Sequence, residues 1–312
     1  MKLLNGNLNK YKTFKYNIIL RKLLNSNSNS NSNSNSNSNS NSNSNSINDN
    51  KRECIIYNLS LQLTEYELAW KYQKALTEHC YRNKINNSIS IDSMILLQHS
   101  SIYTLGKGST IDNIKFNDNN NNNHNNHYHN HNVVRIERGG EVTWHGPGQL
   151  VVYPIFDLNY HKKDLHWFTN SLELVIINML SYYGINANRL DVNTGVWVNK
   201  NKICAIGISA TRWITYHGLA LNINSNLKYY DNIIPCGISN TEYGVCSIQS
   251  CNNNYNNITI DKNITNIFIK SISSVFNIKT IEYDLEDSNQ KLNDILNLYP
   301  DIKNASLHHL HI

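Results

Sequence analysis

Residues 1–48 contain no aspartate or glutamate, and no apolar run in the 312-residue chain approaches the ~20 residues that would cross a bilayer. The second absence predicts no membrane-spanning helix. The first sets the leader apart, because it carries Lys2, Lys10, Lys12, Lys15, Arg21 and Lys22. It also lacks the long apolar stretch and small-residue cleavage site of a secretory signal. A basic, acid-free leader interrupted by apolar residues fits a mitochondrial transit peptide; without that role the chain would be cytoplasmic. Setting these six aside leaves 22 of the 28 basic residues against 23 acidic ones, so the net charge of +5 belongs to the leader. No basic stripe remains for phosphate contacts, and nucleic acid is not an expected partner.

The six cysteines include no CxxC pair. With no secretory signal, a disulfide framework is not expected, and most read as small buried hydrophobes. Nucleotide loops are missing as well: there is no GxxxxGK[ST], and the glycine-rich RGGEVTWHGPGQL (138–150) does not follow G-x-G-x-x-G. The Asn-Ser repeat at 26–46 and the Asn/His insert at about 113–132 lack the apolar residues to offset ordering, and both read as disordered. The four histidines of that insert have no fixed element or carboxylate to make them a metal site. The expected organisation is a leader and tract over 1–50 followed by one catalytic domain over 51–300.

Within that domain CIIYNL (54–59) reads as a strand. Thr64 and Glu67 form a capping-box pattern at the head of a helix over 65–82. SMILLQH (93–99), IYTL within 102–109 and VVRIER (133–138) read as strands. QLVVYPIFDL (149–158) is another, with Pro154 suggesting an edge or a bulge. Asp164 and Gly184 bound a helix over 165–183. GVWVNKNKICAIGIS (195–209) reads as a hairpin turning at 199–201, and 213–224 as a further strand. Helical segments over 261–275 and 286–298 complete a mixed α/β, or α+β, fold.

Four glycines and a proline surround Arg138, Thr143 and His145, a pattern that suggests a wall lining a ligand. Cys236, in IIPCGIS, precedes a glycine that would let neighbouring N–H groups face a substrate oxygen. Taken alone it needs a nearby cation to be a thiolate at neutral pH. Lys202 begins the strand KICAIGI, where a lysine is ordinarily a solvated hairpin charge unless that strand end meets the Cys236 loop. Cys204 reads as buried, Cys246 and Cys251 as incidental. His217, in YHGLALN, reads as a core histidine or a supporting site residue.

LGKGS, RGGEVTWHGPGQLVVYPIFDL, KICAIGI, YHGLALN and IIPCGIS, in that order, resemble the lipoyl(octanoyl) transferase family. The resemblance implies the fold of biotin and lipoate ligases, a mixed sheet flanked by helices. It implies transfer of an octanoyl group from octanoyl-acyl carrier protein, through its phosphopantetheine thioester, to a lysine of lipoyl-domain proteins. Such acceptors are the glycine cleavage H protein and 2-oxoacid dehydrogenase E2 subunits. Cys236 matches the acyl-thioester nucleophile and Lys202 the lysine that lowers its pKa. Arg138, Gly139, Gly140, Glu141, Val142, Thr143, Trp144 and His145 match a substrate-binding segment, as do Ala205, Ile206 and Gly207, and Gly218, Leu219 and Ala220. The glycines of RGGEVTWHGPGQL would then wrap an acyl thioester, with side chains removed so that backbone lines the channel. Neither ATP nor a metal is implied. The alternatives are an ATP-dependent lipoate or biotin ligase, although no GRGRxG-like adenylate loop is present, a lipoyl amidotransferase, and a non-catalytic lipoyl-domain binder.

Overall fold

A computed structural model describes residues 51–115, 132–234 and 242–310. The leader, the Asn-Ser tract, the four histidines of the insert and Cys236 lie outside these residues. Of the insert expected over about 113–132, Asn113 closes a 3-10 turn and Ile114 pairs with Ile233, while residues 116–131 lie outside the described ones.

The strands are β1 (Arg52–Thr64), β2 (Asp92–His99), β3 (Ile102–Leu105), β4 (Val133–Arg135), β5 (Val142–His145), β6 (Gln149–Ile155), β7 (Gly195–Val198), β8 (Asn201–Thr211), β9 (Ile214–Asn222), β10 (Gly244–Val245) and β11 (Ile278–Tyr283). The long helices are α1 (Tyr66–Ile85), α2 (Leu165–Tyr182), α3 (Lys262–Phe276) and α4 (Leu285–Asn297). A mixed sheet runs β10-β8-β9-β6-β2-β1-β11, with β7 also on β8, and a small sheet runs β4-β3-β5. β2 is apolar on both faces because both are covered. Met94 and Leu96 join the core under α2 and α3, while Ile95 and Leu97 are equally buried on the face toward α1. Asp164, Asp261 and Asp284 each cap a helix by accepting a backbone N–H three residues on.

Several elements depart from expectation. Thr64 is no helix cap: it is the last residue of β1, paired with His99, and α1 begins after Glu65 without a side-chain cap. Glu67 pairs with Lys71 at 2.8 Å instead of closing a capping box. The strand from Val133 ends at Arg135, where the chain turns into the RGG segment. Pro154 sits in central β6, between β2 and β9, rather than on an edge. The β6–β9 ladder stops at Val152–Leu219 and resumes at the Asp157–Ile214 bridge without a shift of register, so the missing proline N–H leaves a gap rather than a bulge. β11, parallel to β1, falls between the last two helices and had no expectation. The folded body also runs past 300, since Leu310 N donates to Val133 O.

Candidate active site

The RGG turn lies across β8. Gly139 N donates to Ile208 O at 3.1 Å, and a Cβ on Gly207 would stand 2.9 Å from Gly139 O. Arg138 is buried and anchored by Thr104, whose carbonyl and hydroxyl accept from Nη2 at 2.8 and 2.9 Å. The turn, β5, β6, β8 and β9 enclose a cavity with α1 at one end.

Of the expected residues, Arg138, Gly140, Glu141, Val142, Thr143, His145, Lys202, Ala205, Ile206, Gly207, His217, Gly218, Leu219 and Ala220 line that cavity. Gly139 and Trp144 do not. Trp144 points the other way along β5, fully buried in the small-sheet core, stacked on Tyr229 at 4.7 Å and bonded through Nε1 to Ser101. Alternation along a strand sends Thr143 and His145 to one face and Trp144 to the other. Two cavity glycines also admit neighbouring backbone: Gly207 the RGG turn, and Gly218 the Val152 carbonyl, on which a Cβ would sit.

Lys202 is 6 % exposed, so it is not a solvated hairpin charge. Its ammonium donates to Thr194 O at 3.0 Å and Asn193 Oδ1 at 3.3 Å, and it stands 4.8 Å over the Trp197 ring. Described residues on either side of 235–241 are held by backbone pairing, the downstream ones to Lys202 itself. Ile234 N donates to Asn113 O, and further along the chain Val245 pairs with Lys202 and Cys246 N donates to Lys202 O at 3.0 Å. Cys204 is fully buried, and burial pushes its thiol far up.

Sequence reasoning missed Tyr66, Val151, Tyr153, Asn193 and Thr194, which also line the cavity. A loop Asn-Thr and a tyrosine at a helix start carry no local signal; only tertiary pairing assigns them. His217 is 1 % exposed with φ +57. Its N–H donates to Gln73 Oε1 of α1 at 2.7 Å and its Nε2 is 3.4 Å from the Glu137 carboxylate, which Lys74 also meets at 2.8 Å. Burial holds the His217 ring below its ordinary pKa, and the Glu137 carboxylate opposes that shift. Among the described residues no group of three or more His, Cys, Asp or Glu is placed to hold a metal, and no helix is long and apolar enough to cross a membrane.

The lipoyl protein ligase A/B catalytic domain family matches residues 65–271, two thirds of the chain, and that span contains every wall of the cavity. The chain belongs to this family. Within it, an octanoyltransferase of Arabidopsis thaliana named as chloroplastic is 46% identical over 196 residues, covering 62% of this chain and 67% of that one. An octanoyltransferase of Nostoc punctiforme is 44% identical over 191 residues, 61% of this chain and 77% of that one. Solved structures share the fold at low identity. A lipoate-protein ligase A bound with ATP superposes with a TM-score of 0.55 at 12% identity, covering 79% of this chain and 94% of that one. A bipartite lipoate protein ligase of Thermoplasma acidophilum, described with its E2 lipoyl domain, gives 0.51 at 12% identity over 79% and 92%. The lipoate-ligase fold expected from the motifs is thus the fold observed.

Proposed function

We infer that this lipoyl protein ligase A/B family member is an acyltransferase that moves an octanoyl group onto proteins in lipoylation. Identity above 40% to octanoyltransferases, over 67 and 77% of their length, carries the reading. A buried ammonium in the wall of a cavity built from the matching segments supports it.

The donor in this reading is octanoyl-acyl carrier protein, and Cys236 is the nucleophile. Lys202, a cation whose backbone pairs with Val245 downstream of Cys236 in the chain, favours the thiolate. The thiolate attacks the thioester carbonyl, and the carbon–sulfur bond to phosphopantetheine breaks. The phosphopantetheine sulfur leaves as a thiolate and takes up the proton that Cys236 gave up, and the octanoyl group rests on Cys236 as a thioester. The neutral ε-amine of a lipoyl-domain lysine then attacks this carbonyl. The carbon–nitrogen bond forms, the carbon–sulfur bond to Cys236 breaks, and the amine proton passes through Lys202 to the departing sulfur. The exchange is nearly energy-neutral and amide formation is downhill, so no ATP or metal enters. Lipoyl domains of glycine cleavage H protein and 2-oxoacid dehydrogenase E2 subunits are the acceptors. The acid-free leader, in a family with an organellar relative, takes the chain to mitochondria.

Intact mass of the full chain mixed with octanoyl-acyl carrier protein, without ATP, tests the reading. One octanoyl adduct is expected on wild type, none on Cys236→Ser, and its passage to a lipoyl-domain lysine. Acceptor modification only with ATP and free octanoate would replace it with a ligase. A reporter fused to residues 1–48 is expected in mitochondria; plastid or cytosolic signal would overturn that assignment.

A further inference from the structure

Two backbone carbonyls, neither in the cavity, dictate where protons sit on its wall. A carbonyl only accepts hydrogen bonds. Cys246 O accepts Asn222 Nδ2 at 3.0 Å, which turns the Asn222 amide so that its Oδ1 faces Gln149. Gln149 Nε2 donates to that oxygen at 3.0 Å and lies 3.0 Å from the Tyr230 hydroxyl. Gln149 Oε1 therefore faces His145 Nδ1, at 2.8 Å. An amide oxygen only accepts, so Nδ1 carries the hydrogen. The ring is neutral: burial pulls His145 well below its ordinary pKa, and the neighbouring His99, Arg138 and His217 push the same way. His145, in the cavity wall, is left with a bare Nε2.

The same logic applies to Tyr153. Thr64 O accepts His99 Nδ1 at 2.8 Å, so His99 Nε2 is bare and takes the Tyr153 hydroxyl hydrogen at 2.7 Å. Tyr153 lines the cavity beside Tyr66, whose hydroxyl it also meets. With its own hydrogen committed to His99, the Tyr153 oxygen can only accept, from Tyr66 and from a group in the cavity.

We propose that His145 Nε2 and the Tyr153 oxygen form an acceptor-only wall that receives the N–H groups of the incoming lysine amine, with Gln149 a positioning residue acting through His145. This rests on the octanoyl-transfer reading. An octanoyl chain has no donor to offer such a wall, and each of the two phosphopantetheine amides offers a single N–H, whereas a neutral amine brings two on one nitrogen. Lys202 and Arg138, cations in the same cavity, disfavour an ammonium there and so favour the nucleophilic amine.

The test begins with histidine-selective 15N NMR of the full chain at neutral pH. His145 and His99 are expected as Nδ1–H, Nε2-bare rings. Gln149→Leu is expected to release His145 to the other tautomer while His99 stays. A wild-type His145 protonated on Nε2, or on both nitrogens, overturns the proposal. Single-turnover kinetics then separate the two half-reactions. In Gln149→Leu and Tyr153→Phe, transfer from loaded enzyme to a lipoyl domain should slow about tenfold more than loading from octanoyl-acyl carrier protein, the scale of one or two lost hydrogen bonds. Selective slowing of loading would assign the wall to the phosphopantetheine amide and overturn the lysine assignment. Tyr153→Phe keeps the side-chain shape and decides the matter if Gln149→Leu does not fold. A wild-type chain that never loads sinks the octanoyl-transfer reading, whatever tautomer the NMR reports.

Discussion

The carboxylate of Glu173, on α2, accepts the peptide N–H of Gly195 at 3.0 Å and Arg189 Nε at 2.6 Å. Gly195, at φ +135, follows Asn193 and Thr194, whose oxygens hold the Lys202 ammonium. A buried helix carboxylate thus fixes the loop that holds the cavity's cation. Glu173→Ala is expected to cost about 2–3 kcal/mol, because it leaves a buried N–H without an acceptor and the Arg189 guanidinium with only the Asn170 carbonyl. Glu173→Gln should cost less, since its carbonyl retains the Gly195 bond. Urea unfolding of both variants checks the order, and equal losses would contradict it.

Cysteine reactivity should follow burial and local partners. Burial pushes the Cys54 and Cys204 thiols far up and Cys80 up to about 12. Cys251 is half-buried, and a hydrogen bond from Cys246 lowers its pKa. In a Cys236→Ser background, brief iodoacetamide treatment at pH 7.5 should label Cys251 first, with Cys54, Cys204 and Cys246 protected. Peptide mass mapping reads the order. Cys246 labelling ahead of Cys251 would show that the hydrogen bond runs the other way.

The histidine cluster predicts acid sensitivity. Burial holds His99 down to about 4, against about 6.5 in an unfolded chain. Between those values the unfolded chain binds the proton and the fold does not, so stability falls as pH drops from about 6.5 toward 4. His145 and His217 are shifted in the same direction. His99 alone should remove about 2 kcal/mol between pH 7 and pH 5. Urea midpoints at the two pH values measure it, and His99→Gln should narrow the gap. A midpoint that holds or rises at pH 5 would mean that the cluster is protonated in the fold.

What the sequence made legible follows period and punctuation. The strands β2, β6, β8 and β9 and the helix capped by Asp164 announced themselves because hydrophobic runs and caps are local signals. Thr64 misled because a capping motif is silent on whether a strand has already claimed the residue; its pairing with His99 did so. β11 was hidden between two helices because IKTIEY gains its place only by lying parallel to β1, 226 positions earlier. Most cavity residues were named in advance, but Trp144 was not separated from Thr143 and His145 by motif membership. Strand alternation was the available signal. Tyr66, Asn193 and Thr194 reach the cavity through tertiary packing alone.

The glycines separate two kinds of requirement, and a pair of substitutions distinguishes them. Gly218 needs no unusual φ; it needs space, since a Cβ would sit on the Val152 carbonyl and 2.7 Å from Pro154 Cδ. Backbone in a central sheet cannot yield, so Gly218→Ala should cost about 3 kcal/mol or more and disturb the cavity wall that Gly218 and Leu219 form. Gly184 is the opposite case: φ is +66 after α2, and nothing lies within 4 Å of a Cβ. Gly184→Ala should cost about 1 kcal/mol, the left-handed penalty alone, and leave the cavity intact. Thermal unfolding ranks the two. Were Gly184→Ala the more damaging, backbone conformation and not close approach would be what this fold asks of glycine, and the reading of Gly207 against the RGG turn would fall with it.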